Sequence, residues 1–249
     1  STNQLEINMS KKLNVYLRQT SNITYNHPRP KWFSHKKTFE NLIKSCTLYN
    51  VNFTIVFDGD IEGTFTDDYV NHSSLDYMEN VKVININEQT ELGSGMKLYE
   101  ILKNEKLNDD DIVYIVENDY VHVPGWDDVL IDFFEMYSDV GYVSLYDHND
   151  KYEGDTFQQM YTNLTSFIFK SNHCHWRTVP STTGTYATTY KTLIEDYDIH
   201  TAVGGDYNKF LELTNKNGRS IVSSIPGYST HCVEGLMSPF RNWEKIINE

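Results

Sequence analysis

The feature that most constrains this chain is an alternation that runs through residues 13–140. Apolar, β-branched runs end in polar turns, and stretches with helical periodicity lie between them. Asn52-Phe-Thr-Ile-Val-Phe57 stops at Asp58-Gly59-Asp60, and Ile112–Val116 stops at Glu117-Asn118-Asp119. Leu13–Leu17 and Val81–Ile86 supply two more strands. Ser34 predicts an N-cap for a helix whose Phe39, Leu42, Ile43 and Cys46 recur at i, i+3, i+4 and i+7. Leu92-Gly93-Ser94-Gly95 leads into a second helix through Leu98, Ile101 and Leu102, and Asp127 favours the amino end of a third with Val129, Leu130 and Phe133. Strands alternating with helices form a mostly parallel sheet flanked by helices, an α/β architecture. Such a sheet binds ligands at the carboxyl ends of its strands.

The second half is less regular. Val140–Leu145, Thr165–Lys170 and Ser220–Ser224 read as strands, and Thr185–Tyr197 and Gly205–Asn215 as helices. Residues 1–11 are a polar lead-in without apolar periodicity. A length of 249 residues suits one large domain, 1–249. With 39% hydrophobic residues, the chain has ample material for a core.

A net charge of -14 repels a nucleic-acid backbone, and no basic block opposes it, so nucleic acid is excluded as a partner. Three widely spaced cysteines, Cys46, Cys174 and Cys232, form neither a CxxC pair nor an even disulfide framework, which fits a reducing, cytoplasmic setting. No apolar run is long enough for a membrane span. The first residue is Ser1 rather than Met, which leaves room for an upstream anchor.

Arg18, Asp58 and the Glu117-Asn118-Asp119 turn all follow predicted strands, so the sheet should gather them on one rim. Glu117 and Asp119 are two carboxylates one residue apart at the end of a very apolar strand. Mg²⁺ and Mn²⁺ favour oxygen ligands and commonly combine one or two carboxylates with phosphate and water. Asp58 before Gly59 also suits an Asx turn. Gly93-Ser94-Gly95 lets backbone N–H groups approach an anion, a weak signal by itself. His231 follows the last strand, and its imidazole is a possible Mn²⁺ ligand. His173-Cys174-His175 lacks the second distant pair of a structural zinc site. The adjoining Trp176 and Arg177, with the hydroxyls that follow, have a composition suited to sugar rings, and equally suited to a polar loop pinned by Trp176. The segment from Asn26 to Phe33, with Arg29 and Lys31, concentrates cations that can offset phosphate charge together with Arg18 and Arg177.

Val-Tyr-Ile-Val-Glu117-Asn118-Asp119-Tyr, followed by Val123-Pro-Gly-Trp126, resembles the DXD region of GT-A glycosyltransferases of the family 2 kind. That resemblance implies a Rossmann-like domain with a nucleotide-binding half, 12–126, and an acceptor-binding half, 127–249. It implies a nucleotide-sugar donor (a UDP- or GDP-sugar), a glycan or other hydroxyl acceptor, and Mn²⁺ or Mg²⁺. Asp119 corresponds to the metal ligand and His231 to a late second ligand. Glu117, where the commoner motif has Asp, falls nearer the sugar or ribose. Arg18, Asp58, Gly95 and Asn118 are expected donor contacts, with Trp176 and Arg177 on the acceptor side. Asp206, after Gly204-Gly205, is similar in position to the catalytic base of inverting members, and it also suits a helix start. Two other functions stay open: a nucleotidyltransferase, for which Arg18-Gln-Thr-Ser lacks the expected Gly-rich basic loop, and a non-catalytic carbohydrate-binding or assembly protein.

Overall fold

A computed structural model describes residues 11–23, 27–48, 51–72, 81–152, 163–202 and 204–249. The polar lead-in, except for its last residue, and Asn26 lie outside the described residues. In chain order the strands are β1 (Leu13–Thr20), β2 (Val51–Asp58), β3 (Val81–Ile86), β4 (Ile112–Val116), β5 (Tyr120–His122), β6 (Tyr142–Ser144), β7 (Ile168–Lys170), β8 (His175–Thr178), β9 (Tyr186–Thr189), β10 (Ile221–Ile225) and β11 (Ser229–His231). The helices are α1 (His35–Lys44), α2 (Phe65–His72), α3 (Glu91–Asn104), α4 (Trp126–Met136), α5 (Tyr190–Glu195), α6 (Tyr197–Ala202), α7 (Asp206–Asn217) and α8 (Trp243–Asn248).

Nine strands form one sheet in the order β3-β2-β1-β4-β9-β6-β10-β8-β7. The first four run parallel, as the alternation predicts, and β9 enters antiparallel between β4 and β6. Alternation along β1 explains the two cores. Leu13, Val15 and Leu17 face α1 and α4 through Phe39, Leu42, Leu130 and Phe133, while Tyr16 joins Leu98, Leu102 and Phe210 on the other face. Among the described residues no helix is long and apolar enough to cross a membrane. Cys46, Cys174 and Cys232 are all free thiols.

Three local expectations are corrected. The single helix expected over Thr185–Tyr197 is β9 followed by α5, because buried Tyr186–Thr189 bridges β4 and β6 and the Thr189 side chain then caps α5. Helix α3 begins earlier than expected: Thr90 accepts from Gly93 N, which puts Gly93 and Gly95 inside the helix rather than in a loop before it. His175–Thr178, read as loop, is an inner strand paired with β7 and β10. Helix α2 has no counterpart in the sequence reading.

A second, two-stranded sheet pairs β5 with β11 and sets His231 opposite Tyr120. This short ribbon brings the end of the chain back to the turn after β4.

Candidate active site

The ends of β1, β2 and β4 and the start of α3 enclose a cleft of about 280 Å³. Arg18, Asp58, Glu117, Asn118, Asp119 and His231 all border it, together with Arg29 and His35. The rim expected from strand ends is therefore present.

Asp119 is its most constrained member. The residue is buried; its Oδ2 accepts from His231 Nε2 at 2.9 Å and lies 2.8 Å from Arg29 Nη1. Its Oδ1 is buried and has no hydrogen-bond partner among the described residues. Burial pushes the carboxyl up, but the His231 hydrogen bond and the charges of His231 and Arg29 hold it at about 2. His231 stacks on Tyr120, with ring centroids 5.0 Å apart. Burial disfavours its cation, yet the bond to Asp119 and the nearby carboxylates carry its pKa above the ordinary value.

Glu117 has a different environment. Burial, then the charges of Asp119 and Asp206, push its carboxyl up to about 7. Thr185 holds it twice, accepting from Glu117 N at 3.0 Å and donating to Oε2 at 3.2 Å. Gly184 lies directly beneath: a Cβ there would stand 3.0 Å from Glu117 Cδ. The sequence singles out neither Gly184 nor Thr185 for the site: Gly184 closes the hydroxyl-rich run after Arg177, and Thr185 reads as the start of a helix. The Asn118 carbonyl accepts from Thr38 Oγ1 at 2.7 Å and lies 3.2 Å from His35 Nδ1, so α1 fixes the turn.

Arg18, on β1, donates through Nη2 to the Glu91 carbonyl at 2.9 Å and reaches toward Gly95, 3.8 Å from a Cβ built there. Asp58 borders the cleft, but its carboxylate accepts from Glu88 N at 2.8 Å and Gln89 N at 2.9 Å, holding the loop before α3. Asp206 opens α7 after Gly205, whose φ of 78° suits glycine. It lies outside the lining of the cleft, within electrostatic reach of Glu117, Arg18 and His231. Burial raises its pKa, against the attraction of Lys209 and Arg18. Its carboxylate makes no hydrogen bond or ion pair with the described residues.

Trp176 and Arg177 do not join this group. Trp176 is fully buried on β8, packs on Phe133 at 4.5 Å between ring centroids and donates to Ser171 Oγ, so it is a core residue and not a sugar platform. Arg177 is buried against Asp147 at 2.9 Å, with its guanidinium over the Tyr152 ring. His173 lies 3.3 Å from Asp128, and no group of three metal-ligating side chains is found among the described residues.

This mostly parallel sheet, with β9 inserted antiparallel beyond β4 and a cleft at the strand ends, is the GT-A fold of nucleotide-sugar glycosyltransferases. GalNAc-T7 with UDP, GalNAc and Mn²⁺ superposes with a TM-score of 0.58 and 10% identity, over 91% of this chain and 45% of its own. Residues 1–349 of TarS from S. aureus superpose at 0.50 with 16% identity, over 88% of this chain and 59% of that one. The chain thus spans less than two thirds of the length of either. A 4-diphosphocytidyl-2C-methyl-D-erythritol synthase from Anaerococcus prevotii reaches 0.47 at 10% identity, over 95% and 96%. No protein-family model and no curated protein matches the chain.

Proposed function

We propose that this chain is a metal-dependent glycosyltransferase that moves a sugar, with inversion, from a nucleoside-diphosphate donor to an acceptor hydroxyl. One observation carries the reading: an ionised, buried Asp119 with an oxygen unpartnered among the described residues stands in the strand-end cleft beside His231, and His231 is within electrostatic reach of Asp206. The donor set fits the group. Asp119 and His231 would hold Mn²⁺ or Mg²⁺, with water and diphosphate oxygens as its other ligands. When bound, the ion would neutralise charge that builds on the departing diphosphate. GalNAc-T7, which shares the fold, was solved with UDP and Mn²⁺, in keeping with this reading.

The chain's own residues supply the rest. Arg18 is anchored at the start of α3 and offers positive charge to the donor phosphates. Glu117, with its pKa near neutrality, can both donate to and accept from a sugar hydroxyl. Asp206 takes the proton from the acceptor hydroxyl as that oxygen attacks the anomeric carbon, and its raised pKa strengthens it as a base. A single displacement of this kind inverts the anomeric centre.

The reading is tested by thermal melting with UDP or GDP, with and without Mn²⁺, followed by turnover of a nucleotide-sugar panel. Metal-dependent stabilisation that disappears in Asp119→Asn is expected, since a ligand of the folded state alone raises its melting point. Asp206→Asn should keep that stabilisation and lose turnover by about 10²-fold or more. Stabilisation by nucleotides that ignores both Mn²⁺ and Asp119 would remove the proposal, and release of pyrophosphate from nucleoside triphosphates would favour nucleotidyl transfer instead.

A further inference from the structure

Arg29 already stands as a cation on the carboxylate assigned to the metal. Its Nη1 lies 2.8 Å from Asp119 Oδ2 and also donates to the Cys232 carbonyl at 3.0 Å. A guanidinium binds a carboxylate best through two parallel N–H groups, and here one nitrogen serves both acceptors. Arg29 Nε is buried without a hydrogen-bond partner among the described residues. The ion pair is therefore incomplete on both sides, with Asp119 Oδ1 and Arg29 Nε both unsatisfied beside the same cleft.

The backbone around Arg29 is fixed. Pro28 and Pro30 flank it, the Pro28 carbonyl accepts from Glu234 N, and the Pro30 carbonyl accepts from Phe33 N, both at 3.0 Å. Movement is left to the side chain, whose guanidinium also lies over the Phe33 ring, 5.0 Å from its centroid. Two cations on one carboxylate repel each other, whereas a diphosphate offers a guanidinium a better-matched anion.

We propose that Arg29 is the resident counter-ion of Asp119, which yields the carboxylate when a divalent ion binds and then contacts the donor's phosphates. Resting on the metal-dependent reading above, the inference adds a residue that couples metal entry to donor binding. Without metal, Arg29 limits the cost of a buried carboxylate; with metal and donor, its charge passes to the diphosphate.

The test titrates Mn²⁺ alone into the wild type, Arg29→Met, Arg29→Lys and Asp119→Asn, followed by water-proton relaxation. Inorganic pyrophosphate is then titrated calorimetrically into the Mn²⁺-saturated proteins, with melting curves to establish that each variant is folded. Arg29→Met, which keeps an apolar stem, should bind Mn²⁺ about tenfold more tightly than the wild type and pyrophosphate about tenfold more weakly, the size expected for one partly buried charge contact. Arg29→Lys should stay near the wild type in Mn²⁺ affinity. Unchanged or weaker Mn²⁺ binding by Arg29→Met overturns the counter-ion role, even where Asp119→Asn abolishes metal binding and so leaves the metal reading intact. Equal tightening in Arg29→Met and Arg29→Lys overturns it too, because charge would then not be the cause. Mn²⁺ binding that is the same in wild type and Asp119→Asn would instead remove the metal reading itself.

Discussion

Asp58 illustrates how one carboxylate can border a ligand cleft and still be committed elsewhere. Both oxygens accept from the backbone of Glu88 and Gln89, and Gln89 has a φ of 56°, a conformation that a residue other than glycine keeps only when it is tied down. The same loop ends at Glu91, whose carbonyl anchors Arg18. Asp58→Ala leaves two amides of the loop without their acceptor, which should cost about 2–3 kcal/mol. In a chain of this size that lowers the melting temperature by roughly 4–10 °C. Nucleotide affinity should fall with it, through the loosened Arg18, and Asp58→Asn should recover part of both. Loss of affinity with an unchanged melting point would instead make Asp58 a direct donor contact, the role that the family resemblance implied.

At the scale of elements, strand ends explain why so much of the site could be read from the sequence. Arg18, Asp58 and the 117–119 turn each follow an apolar run, and a parallel sheet must gather such ends on one edge. His231 was expected from its place in the family pattern. The means by which it reaches Asp119 was not legible, because β5 and β11 are three-residue strands joined across the 106 residues of chain between His122 and Ser229 and carry almost no pattern. Trp176 was misread because an aromatic among polar residues has the same composition on a sugar platform and on an inner strand; only its pairing with β7 and β10 decides. Asp127 lies between these cases. It sits in the first turn of α4, where the sequence puts an acid favourable to the helix dipole, but it also accepts from Thr47 N at 3.0 Å and Leu48 N at 2.7 Å, stitching α4 to the chain that leaves α1. Asp127→Ala should therefore cost about 3 kcal/mol, more than a dipole contact alone, because buried donors are left unmatched. Melting measured beside nucleotide binding checks this: stability should drop while the affinity of the folded protein holds. A loss under about 1 kcal/mol would mean that the dipole contact is the whole effect.

The whole molecule carries a buried imidazole on each side of its main sheet, and together they set its response to acid. His122 lies 2.8 Å from Tyr114 Oη; His200 lies 2.8 Å from Tyr142 Oη, which donates to Asp196, itself paired with Arg219. Tyr186 and Tyr99 also stack on His200, and Lys209 adds an opposing charge. Burial lowers both histidines to about 3. Burial also lowers His35 and His148, which act in the same sense. An unfolded imidazole takes its proton near pH 6.5, so between that pH and about 3 the unfolded chain binds more protons and the folded state loses stability as pH falls. At pH 5 the loss is about 2 kcal/mol for each of His122 and His200, or roughly 10 °C in melting temperature for the pair. Two groups have the opposite sign and offset part of this loss. His231, whose pKa is raised by Asp119, contributes fully below its unfolded pKa and fades as pH rises through the folded one. Glu117, pushed up to about 7, takes its proton first in the folded state and gains stability as pH falls toward the ordinary carboxylate range. Asp119, held at about 2, keeps its contribution down to the unfolded carboxylate range, well under pH 5, and loses it only as pH falls from there toward 2. Melting curves at pH 8, 6.5 and 5 should therefore fall most steeply over the last interval, and a His122→Gln, His200→Gln double variant should be flatter there even though it starts lower. An equally steep fall in that variant would assign the acid response to carboxylates and not to the two buried rings.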